Sequence, residues 1–180
     1  QIIIDHPRLE SLLVNPVFAA GNKILAGEAS IRIRLDNHIA PLAIRAYPKE
    51  LEEECTLRNG QPVMLRPIKP EDEIQLQQFD SSQTKEDRYK RYFAELPQFS
   101  HEQMARLAQI DYAREMAFIA VTNDDAAAEK ILGVVRIQTD PDNLQAEFAM
   151  AVRSELKNIG LGSRLLRKMI DYCRSQEIKE

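Results

Sequence analysis

Only six of the 180 residues are glycine and only two are cysteine, and no apolar run approaches the roughly 20 residues that span a bilayer. The cysteines, Cys55 and Cys173, stand far apart with no metal-ligand spacing, so they read as reduced thiols in a cytoplasmic protein. A basic excess is also missing. Twenty-four Lys and Arg face 28 Asp and Glu, a net charge of −4, which argues against a nucleic-acid binder. No secretory leader, internal repeat or low-complexity tract is visible. What is present is an ordinary globular mixture, 44% apolar and 29% charged, long enough for one domain or one domain plus a fragment. The first residue is Gln1 rather than Met, and the sequence stops just after a long helical pattern, so a piece of a larger protein is expected.

Residues 1–35 read as a β-pair. "LLVNPVF" and "ASIRIRL" are strand-like, the second alternating Ile31, Ile33 and Leu35 with Arg32 and Arg34, and the turn formers of "AAGNKILAGE" lie between them. Residues 36–55, with Pro41, Pro48 and an acidic run, read as a linker. From 56 to 180 the pattern is that of one α/β domain. A hairpin turns at Asn59-Gly60. A helix opens at Pro70 with acids in its first turn and carries Ile74, Leu76 and Phe79. Two further helices follow. "DRYKRYF" is read as amphipathic, with Tyr89, Tyr92 and Phe93 inward, and Ser100 with Gln103 fits a capping box. Three strands come next, "EMAFIAVT", "ILGVVRIQ" and "QAEFAMAVR", and then a helix with the stripe Leu161, Leu165, Leu166, Met169, Ile170 and Cys173. His6, His38 and His101 read as surface or capping residues.

Two of the scarce glycines, Gly160 and Gly162, stand one residue apart at the start of that last helix. Glycine there costs conformational entropy. A helix N-terminus offers free N–H groups and about half a positive charge, and glycines let a large anion approach the backbone closely. The dinucleotide pattern G-x-G-x-x-G fails at Leu165. Three antiparallel strands followed by a glycine-started helix resemble instead the GNAT acetyltransferase family, whose signature is Gln/Arg-x-x-Gly-x-Gly/Ala. Lys157, Asn158, Ile159, Gly160, Leu161 and Gly162 match it, with Lys157 in place of Gln or Arg. Lysine keeps a charge and a donor there but loses the planar fork.

The resemblance implies a mixed, mostly antiparallel sheet with flanking helices. It also implies acetyl-CoA as co-substrate, its pyrophosphate held by the amides of Lys157, Asn158, Ile159, Gly160, Leu161, Gly162 and Ser163, and its pantetheine arm paired with the backbone around Met150, Ala151 and Val152. "NGQPVMLRPIKPEDE" and "AEFAMAVRSELKNIGLG" are similar to the GNAT domain of Pat-type protein lysine acetyltransferases, in which that domain follows an ADP-forming acyl-CoA synthetase module. "HPRLESLLVNPV" resembles the last metal-binding strand of the ATP-grasp part of such a module. Asn15-Pro16 survives, but Ser11 and Leu13 replace the acids, and leucine offers a cation no oxygen. Residues 1–35 are therefore expected to be a structural remnant without a metal site. A complete GNAT fold continues beyond position 180 with another strand, and a tyrosine general acid, where present, comes later. The edge this leaves makes self-association an expectation.

Acetyl transfer to a lysine needs a polarised thioester and a neutral amine held together, and a lysine is charged at neutral pH, so a base must take its proton. Glu147 is the one carboxylate on "QAEFAMAVR" and stands where the family's catalytic glutamate matches. In a strand it shares a face with Ala149 and Ala151, which leave room beside the acid, while Phe148, Met150 and Val152 look core-like. Partial burial of Glu147 near the docking groove is expected. The sequence thus points to a protein lysine N-acetyltransferase with Glu147 as base. A small-amine acetyltransferase and an acetyl-CoA-binding regulatory module without turnover are the alternatives.

Overall fold

In the computed structural model the chain divides into two units, Gln1–Ala46 and Tyr47–Glu180. The residues described are 6, 8–35, 45–92, 99–122, 129–140, 142 and 144–178. His38, Phe93 and the first part of the expected linker, residues 36–44, lie outside them.

The first unit is an antiparallel ribbon of β1 (Leu9–Ala20) and β2 (Lys23–Ile33), in one register from Ser11 opposite Arg32 to Ala20 opposite Lys23, with a shift between Leu9 and Ser11. The turn formers of residues 19–28 are not one long connection. Gly21, at φ 57°, closes a tight turn, and the residues on both sides of it enter the ladder. Leu13, Phe18 and Leu25 are exposed, at 65%, 57% and 67%. Ser11 and Leu13 sit within β1, opposite Arg32 and Ser30.

The second unit is built on a five-stranded sheet in the order β3-β4-β5-β6-β7, every neighbouring pair antiparallel. The strands are β3 (Glu53–Thr56), β4 (Pro62–Pro67), β5 (Glu115–Thr122), β6 (Ile131–Thr139) and β7 (Ala146–Val152). The sheet begins at Glu53, three residues ahead of the sequence-based start of this domain. The helices are α1 (Glu73–Ser81), α2 (Lys85–Tyr92), α3 (His101–Ala108) and α4 (Leu161–Ser175). This is the mixed α/β, mostly antiparallel architecture expected from the sequence.

Strand alternation splits the core into two layers. Met116, Phe118 and Ala120 of β5 join Leu161, Leu165 and Met169 of α4 on one face. Ala117, Ile119 and Val121 join Leu76 and Phe79 of α1 and Met104 and Ala108 of α3 on the other. Each side chain as large as Phe118 or Leu165, fully buried, contributes about 1.5–3 kcal/mol. The helix α4 lies close to the sheet because Gly133 has no side chain: a Cβ there would stand 3.0 Å from Leu165 Cδ1.

The α1 helix starts through a short 3₁₀ turn, Pro70–Asp72, whose Asp72 carboxylate accepts two hydrogen bonds of 2.7 Å from the buried Arg66 guanidinium. The capping box of α3 is made in both directions. The Gln103 N–H donates to Ser100 Oγ (3.3 Å) and the Ser100 N–H to Gln103 Oε1 (2.8 Å). Three apolar residues of the helices depart from the sequence reading. Ile74 is exposed because it lies well round α1 from Leu76, and Ile170 is 41% exposed at the flank of the α4 stripe. Tyr89 is 54% exposed, so the "DRYKRYF" helix does not bury it.

Candidate active site

A cavity of about 670 Å³ opens where the C-terminal end of β7 meets the start of α4. Met150, Ala151 and Val152 line it from the strand, and Lys157, Asn158, Gly160, Gly162 and Ser163 from the segment that becomes the helix. A short 3₁₀ turn, Ser154–Leu156, reverses the chain between them. Two left-handed residues then aim the backbone: Asn158 at φ 68° and Gly160, the N-cap, at φ 93°. Gly160 is the position where glycine is required. A side chain there is strained by the φ angle, and its Cβ would also lie 3.4 Å from Arg58 Nε.

This backbone leaves donors without acceptors. The first helical bond is from Arg164 N–H to the Gly160 carbonyl, and among the described residues no backbone N–H of residues 158–163 donates to a protein acceptor. The Ile159 carbonyl accepts the Arg58 N–H instead, which ties the β3–β4 hairpin to the segment. Leu161 is wholly buried and Ile159 packs on the same core, so neither side chain lines the cavity and only their amides are available to it.

The cavity has walls that local sequence patterns do not announce. Asp87 of α2 accepts from Lys157 Nζ and from Ser154 Oγ, each at 2.5 Å. The Lys157 ammonium, then the Ser154 hydroxyl, hold the Asp87 carboxyl down at about 2. Lys157 therefore rests on a carboxylate 70 residues away in sequence. Gln83 also lines the cavity, and both its amide atoms are buried without a partner among the described residues. Arg58 reaches in from the hairpin.

Glu147 stands elsewhere on β7. It pairs with Gln138 and lines a separate polar hollow with Gln138, Thr139, Asp140, Gln145 and Ala146, three residues and about 10 Å along the strand from Met150. It is exposed, not partly buried as expected, because β7 is the sheet's edge and no described residue covers that end. Phe148, read as core-like, is 63% exposed for the same reason: the α4 layer takes up Met150 and Val152 but not Phe148.

A sequence model of the Acetyltransferase (GNAT) family matches residues 78–180. The chain belongs to the GNAT acetyltransferase family. An acetyltransferase of Pseudomonas aeruginosa is 27% identical over 125 residues, 69% of this chain and 67% of that protein. The crystal structure of the GNAT domain of S. lividans PAT is 25% identical, with a TM-score of 0.66, over 74% of this chain and 77% of that one. A GNAT acetyltransferase from Staphylococcus aureus shares the fold at 16% identity and a TM-score of 0.51, over 64% and 69%.

GNAT enzymes take their acetyl group from acetyl-CoA, and the cavity suits the anionic end of that molecule. Unpaired amides of a glycine turn, the helix N-terminus behind them and the Lys157 and Arg58 cations are donors for a diphosphate. Among the described residues no group of three His, Cys, Asp or Glu side chains is placed to hold a metal ion, and no helix is long and apolar enough to cross a membrane. Cys55 and Cys173 are free thiols, both pushed up by burial.

Proposed function

We propose that this GNAT acetyltransferase acetylates the side-chain amine of a lysine in a protein, with Glu147 taking the proton from the acceptor, directly or through one water. The observation that carries the reading is strand β7, which ends in the cavity-lining Met150, Ala151 and Val152 and bears a single carboxylate, Glu147, about 10 Å away on its open edge. Bound acetyl-CoA supplies an acyl carbon activated as a thioester. The amides of residues 158–163 hold its diphosphate, and the backbone of Met150, Ala151 and Val152 on the edge strand pairs with the pantetheine arm. Glu147 then receives a proton from the acceptor ammonium and leaves the amine neutral. A protein acceptor is favoured by the match to the S. lividans PAT domain over 74% of the chain, together with the Pat-like segments at positions 59–73 and 146–162.

The likeness of "HPRLESLLVNPV" to the last metal-binding strand of an ATP-grasp module supports reading residues 1–35 as the last strands of such a module, residues 36–55 as the linker and residues 56–180 as the acetyltransferase domain. Ser11 and Leu13 leave that ATP-grasp segment without carboxylate ligands.

The test is transfer of labelled acetyl from acetyl-CoA to lysine-containing proteins and to free polyamines, with Glu147→Gln beside the wild type. General-base loss costs about 10²–10⁴-fold. The expected result is acetyl-lysine in protein, a fall in kcat of that order in the variant, acetyl-CoA affinity close to wild type, and partial recovery of rate at higher pH. Wild-type turnover by Glu147→Gln at neutral pH removes Glu147 from the role. Labelling of polyamines alone removes the protein acceptor.

A further inference from the structure

A second, smaller hollow of about 240 Å³ shares Gly160, Ser163 and Arg58 with the main cavity and continues along α4. Its other charged walls are Arg164 and Arg167. These two lie on one face of the helix, and Arg58 comes from the β3–β4 hairpin, its Nε 3.4 Å from where a Gly160 Cβ would be. No acid lines the hollow, and none of the three guanidiniums has an ion-pair partner among the described residues. Most other arginines of this unit do have one: Arg66, Arg88, Arg136, Arg153 and Arg174 each face a carboxylate.

Three like charges around one depression repel one another, and an anion placed among them offsets that repulsion. A chain with a net charge of −4 that gathers three unpaired arginines beside an anion-binding turn has built a local positive field. Acetyl-CoA carries two separate anionic groups, the diphosphate and a phosphomonoester on the ribose 3′ oxygen. A diphosphate on the amides of residues 158–163 leaves the phosphomonoester within reach of an adjoining pocket. Guanidinium forks suit its terminal oxygens.

We propose that Arg58, Arg164 and Arg167 form a subsite for the ribose 3′-phosphate and make this enzyme select CoA thioesters over their 3′-dephospho analogues. The inference rests on the acetyl-CoA reading of the main cavity. It assigns to Arg164 and Arg167 a role in specificity rather than in the chemistry at the thioester.

Calorimetric titration of the full chain with CoA and with 3′-dephospho-CoA tests it, on the wild type and on the double variant Arg164→Gln/Arg167→Gln. The wild type is expected to bind CoA at least roughly tenfold more tightly than dephospho-CoA, the preference shrinking as salt rises. The double variant is expected to bind both ligands alike, at the wild-type dephospho-CoA affinity, and that retained binding also shows that it is folded. Equal affinity of the wild type for the two ligands overturns the subsite and leaves the main cavity intact. A double variant that keeps the preference, or weakens both ligands equally, also overturns the subsite. Binding of neither ligand to the wild type overturns the acetyl-CoA reading and the subsite with it.

Discussion

Replacing Asp87 by Asn tests the long-range clasp that closes one wall of the cavity. The wild-type carboxylate accepts from Lys157 and Ser154, and its ionisation moves from 3.8 to about 2. At about 1.36 kcal/mol per pH unit that displacement corresponds to at most about 2.4 kcal/mol. The Lys157 side chain is 49% exposed, so solvent screening reduces the contribution to about 1 kcal/mol. The sign follows from the direction. A carboxyl held lower in the folded state stabilises the fold fully above its unfolded value and loses that contribution as pH falls from about 4 through 2. Urea unfolding of wild type and Asp87→Asn between pH 7 and pH 2.5 is the assay. The variant is expected to be less stable by about 1 kcal/mol at pH 7, with the gap closing as the pH approaches 2. Lys157→Gln should give much of the same loss, and the double variant little more than either single one. A gap between Asp87→Asn and wild type that stays constant with pH would refute the reasoning, because the difference would then not come from the ionised carboxylate.

Two further outcomes follow from the same geometry. Gly160→Val should weaken acetyl-CoA binding at least roughly tenfold while circular dichroism stays native-like, because the φ of 93° disfavours a β-branched residue and the Leu161, Leu165 and Met169 contacts of α4 are untouched; unchanged affinity by calorimetry counts against the glycine turn as the diphosphate site. Leu165→Ala should cost about 2–5 kcal/mol in urea unfolding, because the wholly buried side chain fills the space above Gly133, and a loss below about 1 kcal/mol would show that α4 does not pack on the sheet as described.

The sequence by itself determined the local elements and the place of the glycine turn. Short apolar runs mark β5, β6 and β7, Ser100 with Gln103 marks the start of α3, and the close glycine pair marks the start of α4. These are short-range effects, set by side-chain period, capping and backbone freedom within a few residues. What the tertiary structure decided lies at long range. The pairing of Asp87 with Lys157, the reach of Arg58 over Gly160 and the gathering of Arg58 with Arg164 and Arg167 join residues about 70 to 110 positions apart, and no local pattern encodes which elements meet. The exposure of Phe148 and Glu147 was decided there too. A strand's alternation states which residues share a face, but whether a face is covered depends on where the sheet ends and which part of β7 the helix α4 reaches.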